Sequence, residues 1–421
     1  MEIIPIHHPL DATVGIPGSK SMTNRVLLTS ALANGWTRLT NALVSDDSRY
    51  FAKALQTLGF DVQLDEPNFE MTVTGLSGKI PSQKAELFIG NAGTAARFLT
   101  AFLALGSGEY ILDGDSRMRE RPIGDLISAL SQLGANIEVS SSDCPPAKIK
   151  ASGLEGGKTS IAGNISSQFL SALLMVAPYA KSPVEIEVVT ELNSKPYVDM
   201  TLAIMQDFGV EVKRNGYQAF GVPTANYQSL ITYPIESDAS AASYFFAAPA
   251  ICGGTVRVEN ISRHSKQGDV AFLDVLARMG CSIQERENDI EVTGSQPLIG
   301  VDVNMCDIPD TAQTLAAIAP FASTPTRIRG IASARLKETD RVHATCIELA
   351  RLGVRVEEHE DGMTIYPCEK FTPDTIQTYN DHRMAMAFSL IGMRVPGVTI
   401  ENPSCVSKTF PDFFKVLETL R

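Results

Sequence analysis

Apolar residues fall along the chain in two alternating patterns. The first is a set of six segments apolar around almost their whole circumference: "NRVLLTSALANG", "AARFLTAFLALG", "QFLSALLMVAPYA", "ASYFFAAPAICGG", "AQTLAAIAPFAS" and "MAMAFSLIGMRV". The second is an amphipathic segment that closes on glycine and is followed by a β-like run. It occurs as "ALQTLGFDVQL", "ALSQLGANIEV", "IMQDFGVEVKR", "VLARMGCSIQE" and "ELARLGVRVEE". The glycines are Gly59, Gly134, Gly209, Gly280 and Gly353, spaced 75, 75, 71 and 73 residues apart. A glycine there supplies the left-handed residue that ends a helix, and the β-branched run after it reads as a strand. A single such match is common in α/β proteins, whereas five at a near-constant period define a repeat. Each full repeat reads strand, helix, strand, helix, strand, strand, with the last truncated at "FFKVLETLR". The all-round apolar helix is expected to be buried and the amphipathic one to cover it. The fold class predicted is therefore α/β (α+β), built from six βαβαββ units, three to a domain.

The loops that open the six apolar helices are "PGSKSMTNR", "GNAGTAAR", "GNISSQ", "SDASAAS", "DIPDTAQ" and "YNDHRMAM". They are rich in helix-capping residues, and a helix start offers free N–H groups and a partial positive charge to an anion. Capping alone accounts for "SDASAAS". It does not account for Lys20, Arg25, Arg97 and Arg383 in the others. The loops after the intervening strands, "GDSRMRERP", "LNSKPY", "ARLKETDR" and "VSKTFPD", add Arg117, Arg119, Arg121, Lys195, Lys337, Arg341 and Lys408. Eleven of the 36 basic residues thus lie in loops that the repeat places near helix ends, although the chain carries a net charge of −12. Such a balance argues against nucleic acid as a partner and for a small anion held by concentrated cations. "GIPGSKSMTNR" is not a nucleotide P-loop, because Lys20 comes one place too late after Gly18.

The remaining composition narrows the classes further. With 44% hydrophobic and 20% charged residues over 421 positions, the chain has material for two domains. "MEIIPIHHPL" lacks the basic and apolar regions of a signal peptide, and "FLSALLMVAPYA" is too short to span a membrane, so a cytoplasmic protein with no membrane partner is expected. Seven cysteines without a C-x-x-C pair fit a reducing compartment and no metal site, and His7 with His8 finds no second cluster to complete one. Among groups able to move protons, Asp310, Glu338 and His382 stand out because each shares a loop with a cation or a cap. Lys337 and Arg341, four apart in "KETDR", are expected to share a helical face.

Taken together, "PGSKSMTNR", "GNAGTAAR", "RMRERPIGDL", "SSQFLSALLM", "SKPYVDMTLAIMQDFGV", "DASAASYF", "IPDTAQT", "LKETDR", "YNDHRMAM" and "SKTFPDFF" resemble the 3-phosphoshikimate 1-carboxyvinyltransferase (EPSP synthase) family. The motifs run in family order from residue 17 to 414, across essentially the whole chain. The resemblance implies two similar domains, 20–237 and 1–19 with 238–421, joined by two crossings of the chain, with buried parallel helices and the active site in the interdomain cleft. It implies transfer of the enolpyruvyl group of phosphoenolpyruvate to the 5-hydroxyl of shikimate 3-phosphate through a tetrahedral intermediate, in aromatic amino acid biosynthesis, with no cofactor and no metal. Glyphosate is the inhibitor it implies, and no stretch of surface argues for an oligomer, so a monomer is expected.

Carried onto this chain, the resemblance assigns shikimate 3-phosphate to Lys20, Ser21, Arg25, Ser166, Ser167, Gln168, Ser194, Tyr197, Asp310, Ser333 and Lys337. Phosphoenolpyruvate falls to Lys20, Asn91, Gly93, Thr94, Arg121, Gln168, Arg341, Arg383 and Lys408. The catalytic group is Lys20, Asp310, Glu338 and His382, with Asp310 accepting the 5-hydroxyl proton. Gly93, lacking Cβ, is expected to admit the phosphate close to the backbone. Ser333 departs from the family, where asparagine is expected. Two rivals remain: the related transferase that acts on UDP-N-acetylglucosamine, and a non-catalytic anion-binding scaffold. The first uses a cysteine where this chain has Ser116, and no cysteine precedes Cys144.

Overall fold

The glycines that close the amphipathic segments all lie at positive φ, from +81° at Gly353 to +107° at Gly280. At Gly59 the glycine N–H bonds the Gln56 carbonyl, and the Phe60 N–H reaches back to the Leu55 carbonyl, both at 3.0 Å. The same two bonds recur at Gly134, Gly209, Gly280 and Gly353. This satisfies carbonyls that a helix end would otherwise leave open, and it turns the chain into the next strand.

The computed structural model describes residues 1–295 and 297–421. It divides into two compact units, Gly18–Ile235 and Met1–Pro17 with Glu236–Arg421. In the first unit the helices are α1 (Lys20–Leu32), α2 (Asp46–Thr57), α3 (Gly93–Leu103), α4 (Gly124–Gln132), α5 (Ser167–Val176) and α6 (Lys195–Asp207). In the second they are α7 (Ala239–Cys252), α8 (Phe272–Arg278), α9 (Ala312–Ile318), α10 (Arg341–Arg351), α11 (His382–Gly392) and α12 (Phe413–Glu418). Every residue of α3, α7, α9 and α11 is buried, as apolarity on all sides requires. Within each unit the inner helices pack on one another, α1 and α5 on α3, α7 and α9 on α11. Each unit has its own apolar core.

Five four-stranded sheets share one strand order, and a two-stranded sheet stands for the truncated sixth. In the sheet of Lys84–Phe88, Ser107–Asp113, Ala147–Ser152 and Asn136–Glu138, the first pair is parallel and the other two pairings are antiparallel. The parallel pair flanks the inner helix, and the antiparallel hairpin follows the outer one. The opening strands of two repeats are exchanged relative to chain order. Leu10–Val14 pairs parallel with Gly254–Glu259, and Thr232–Pro234 pairs parallel with Asn34–Thr40. No described helix is long and apolar enough to cross a membrane.

Candidate functional site

In the Gly18–Ile235 unit, the candidate residues lie at the starts of α1, α3, α5 and α6. Ser19 caps α1 by accepting the Met22 N–H at 3.4 Å, which sets Lys20 on the first helical position. The Lys20 ammonium lies 3.6 Å from the buried Asp47 carboxylate at the start of α2. Ser21 is half-buried beside it. Arg25, one turn further, is 1% exposed. Its Nε donates to Thr201 Oγ1 at 2.7 Å, Nη1 to the Ser21 carbonyl at 2.9 Å, and Nη2 to Ser171 Oγ at 3.2 Å and the Tyr197 carbonyl at 3.1 Å. Every one of these acceptors is neutral. Burial lowers the Arg25 pKa to about 10, with only Tyr197 opposing it.

At the start of α3, the Arg121 guanidinium donates from Nη1 to Asn91, 2.8 Å from Oδ1 and 3.2 Å from the carbonyl. A Cβ added to Gly93 would lie 2.4 Å from Arg121 Nη2. The glycine therefore admits the arginine against the helix start, a neighbour the sequence alone did not reveal. Arg97 braces the same corner, donating to the Gly93 and Pro122 carbonyls at 3.2 and 3.1 Å. Thr94 Oγ1 accepts from Gln168 Nε2 at 3.4 Å, linking the starts of α3 and α5, while Ser166 caps α5 through the Gln168 N–H with Ser167 buried next to it. Ser194, the N-cap of α6, is held at φ +55°, a region non-glycine residues rarely visit, and Tyr197 follows in the first turn. Arg117 and Arg119 pair with Glu120 and Asp113 near solvent and stay out of this group, whereas Arg121 is 5% exposed.

In the other unit one carboxylate gathers three cations. Asp310, on a 3₁₀ turn before α9, accepts from Lys337, from Arg341 Nη1 at 3.2 Å and from Arg383 Nη2 at 2.8 Å. Arg341 also donates to Glu338 at 2.7 Å and to Asp381 at 2.7 and 3.2 Å. Burial works against the Arg341 charge, but Asp381, Glu338 and Asp310 outweigh it and raise its pKa. Burial holds the Lys337 ammonium below its usual range, and Arg341 and Arg383 add to this against the pull of Asp310. Lys337 caps the 3₁₀ turn Ala332–Leu336, and only Arg341 is helical, so the expected shared helical face is absent. The two meet through Asp310 instead. His382, fully buried, opens α11 with Nδ1 3.5 Å from Asp381. Lys408 is largely buried at the end of its own 3₁₀ turn, and Ser333 is half-buried in the turn before Lys337. Asp238 caps α7, accepting the Ala241 N–H at 2.9 Å.

Asp381 was not singled out by sequence reading. It caps α11 through the Arg383 N–H at 2.9 Å, and that role is all "YNDHR" advertises. Its bond to Arg341 spans 40 residues. Among the described residues, no group of three His, Cys, Asp or Glu is placed to hold a metal ion, and His7 and His8 are exposed. A surface hollow of about 550 Å³ on the sheet containing Val184–Val188 carries mixed charges, with Lys158 3.2 Å from Glu185, and none of the candidate residues.

The family model for EPSP synthase (3-phosphoshikimate 1-carboxyvinyltransferase) matches residues 4–417. The chain is 49% identical over 415 residues to the 3-phosphoshikimate 1-carboxyvinyltransferase of Nostoc punctiforme, covering 98% of this chain and 97% of that one. It is 51% identical over 405 residues to the protein of that name from Shewanella loihica, at 96% and 95% coverage. Among solved structures, the EPSP synthase of Acinetobacter baumannii superposes with a TM-score of 0.83 at 24% identity, covering 100% of this chain and 97% of that one, a likeness of fold.

Proposed function

The chain belongs to the EPSP synthase (3-phosphoshikimate 1-carboxyvinyltransferase) family and moves the enolpyruvyl group of phosphoenolpyruvate to the 5-hydroxyl of shikimate 3-phosphate, and from that premise we propose how its residues divide the work. The observation that carries the division is Arg25, a buried guanidinium bonded solely to neutral oxygens. A buried charge so placed is costly until an anion joins it. Arg25 therefore takes an anionic group of shikimate 3-phosphate, with Ser21, Ser166, Ser167, Gln168, Ser194, Tyr197 and Lys337. Ser333 is short for a direct contact and serves at the edge of that group. Arg121, with Asn91, Gly93 and Thr94, takes phosphoenolpyruvate, as do Arg341, Arg383 and Lys408. Lys20 and Gln168 serve both substrates.

Asp310 now bonds three cationic side chains. Incoming phosphate and carboxylate groups compete for those cations, which releases a carboxylate oxygen to accept the 5-hydroxyl proton. As the 5-hydroxyl oxygen of shikimate 3-phosphate, relieved of its proton, attacks C2 of phosphoenolpyruvate, Glu338 or Lys20 delivers a proton to the methylene carbon, giving the tetrahedral intermediate. In the second half a methyl proton leaves to the same group, the C–O bond to phosphate breaks, and the departing phosphate carries off the proton that Asp310 took from the 5-hydroxyl, with His382 beside Asp381 at the start of α11. Charge-assisted bonds of about 1.5–3 kcal/mol each supply the binding energy.

Glyphosate competes on the phosphoenolpyruvate side. We read the enzyme as a monomer in the cytoplasm, and the seven free cysteines support a reducing compartment. The deciding experiment measures phosphate release from phosphoenolpyruvate with shikimate 3-phosphate, and separately with UDP-N-acetylglucosamine. Release with the first alone is expected. Release only with the sugar nucleotide would overturn the assignment.

A further inference from the structure

Thr201 lies in the middle of α6, 176 residues from Arg25 along the chain, and has no exposure to solvent. Its Oγ1 accepts the Arg25 Nε–H at 2.7 Å. The same hydroxyl lies 2.8 Å from Ser171 Oγ on α5 and 2.8 Å from the Tyr197 carbonyl one turn back on α6. A hydroxyl has one proton to give and two lone pairs to receive with, so Thr201 donates to one of these neighbours while accepting from Arg25. Ser171 Oγ and the Tyr197 carbonyl also accept from Arg25 Nη2. The four groups form a closed polar ring, and the guanidinium rests over the Phe98 ring of α3 with its carbon 5.3 Å from the centroid.

A threonine in a helix interior commonly bonds the carbonyl four residues back, and the contact with Tyr197 by itself would be only that. The bond to Nε is different. A guanidinium carries five N–H donors in a rigid plane. Thr201, Ser171 and Tyr197 hold the Nε–Nη2 edge, and the Ser21 carbonyl takes one hydrogen of Nη1. Four donors are thereby engaged with neutral oxygens, and the fifth is on Nη1. Without the Thr201 hydroxyl, Nε has no acceptor and the plane is held through Nη1 and Nη2 alone, which fixes the direction of Nη1 less tightly.

We propose that Thr201 is a positioning residue for shikimate 3-phosphate: it fixes the Arg25 guanidinium by its Nε edge so that Nη1 faces an anionic group of that substrate. This rests on the reading that Arg25 binds shikimate 3-phosphate. Ser171 is the second member of the support, and its hydroxyl keeps Thr201 oriented.

The test uses the full chain with steady-state kinetics in both substrates and a thermal melt for each variant. Thr201→Val keeps the shape and removes the hydroxyl. The expected result is a rise of about tenfold in KM for shikimate 3-phosphate, with KM for phosphoenolpyruvate and kcat within about twofold of the parent. Thr201→Ser restores the parent value. Arg25→Lys separates the two levels of the argument, because it removes the Nε edge altogether. A raised KM for Arg25→Lys with an unchanged KM for Thr201→Val overturns the positioning role and leaves the binding role of Arg25 standing. An unchanged KM for Arg25→Lys overturns both. A lowered melting temperature with no change in KM makes Thr201 purely structural and overturns the proposal. The double variant is expected to match Arg25→Lys alone, since the hydroxyl then has no guanidinium to orient.

Discussion

The Arg341 guanidinium meets the Asp381 carboxylate along its Nε edge, with Nε 2.7 Å from Oδ2 and Nη2 3.2 Å from Oδ1. Both side chains are out of solvent, 3% and 0% exposed. One face of the arginine is thus committed to a fixed acid, while Nη1 and Nη2 also reach Asp310 and Glu338.

Replacing that acid should loosen the arginine before it disturbs anything else. Asp381→Asn keeps the size of the side chain and an oxygen for the Arg383 N–H. We expect KM for phosphoenolpyruvate to rise at least about tenfold, with a smaller change for shikimate 3-phosphate. Asp381→Ala leaves a buried cation short of a partner and should cost about 3–5 kcal/mol in denaturant unfolding. Equal effects on both Michaelis constants in Asp381→Asn would refute the specific link to Arg341.

Gly93→Ala places a methyl group against the tip of Arg121. The displaced atoms are the end of a flexible side chain, so the fold should survive with little change in melting temperature. The cost should fall on phosphoenolpyruvate, whose KM is expected to rise, and on glyphosate, whose inhibition constant is expected to rise further. Unchanged values for both would show that Arg121 does not act there.

Lys337 sets a pH dependence whose sign follows from its lowered pKa. Between that value and the ordinary lysine range the folded chain holds fewer protons than the unfolded chain. Unfolding then takes up protons, and the lysine's contribution to stability rises with pH across this window. Below the window the cost of the buried charge is constant. Comparing urea midpoints of the parent and Lys337→Met from neutral pH to pH 10, the parent should gain on the variant as pH rises. Parallel curves would count against a depressed ammonium.

Ser194 separates a backbone effect from a hydroxyl effect. At φ +55° a serine costs about 1 kcal/mol that glycine does not. Ser194→Gly is therefore expected to melt no lower than the parent, and up to about 2 °C higher, while KM for shikimate 3-phosphate rises. A lower melting temperature would mean that the hydroxyl, rather than the turn, holds the start of α6.

Much of this architecture is written in local chemistry. The repeat glycines were legible because a left-handed helix end selects for glycine at a fixed offset from an apolar stripe, and the structure forms that turn five times. The buried helices were legible because nothing else explains apolarity on every side. What stayed hidden depends on distant pairing. Thr201 and Ser171 look like ordinary residues of two helices until a third helix brings Arg25 between them. Asp381 reads as a cap until Arg341 arrives. Lys337 and Arg341 looked like helical neighbours because a spacing of four carries no record of where a helix begins. The Arg121 side chain against Gly93 is likewise a tertiary event, invisible in "GNAG".

The strand Leu10–Val14 is synthesised well before its partner, since Gly254–Glu259 begins 240 residues after it ends. At about 5–20 residues per second, that strand waits on the order of 10–50 s with an open edge while the whole of Gly18–Ile235 is synthesised. The intervening unit can close its own first sheet, since Thr232–Pro234 reaches Asn34–Thr40 before the second passage of the chain. Biogenesis is therefore staggered: one half matures during translation, and the other cannot seal its first sheet until its late strand emerges to meet one made long before it.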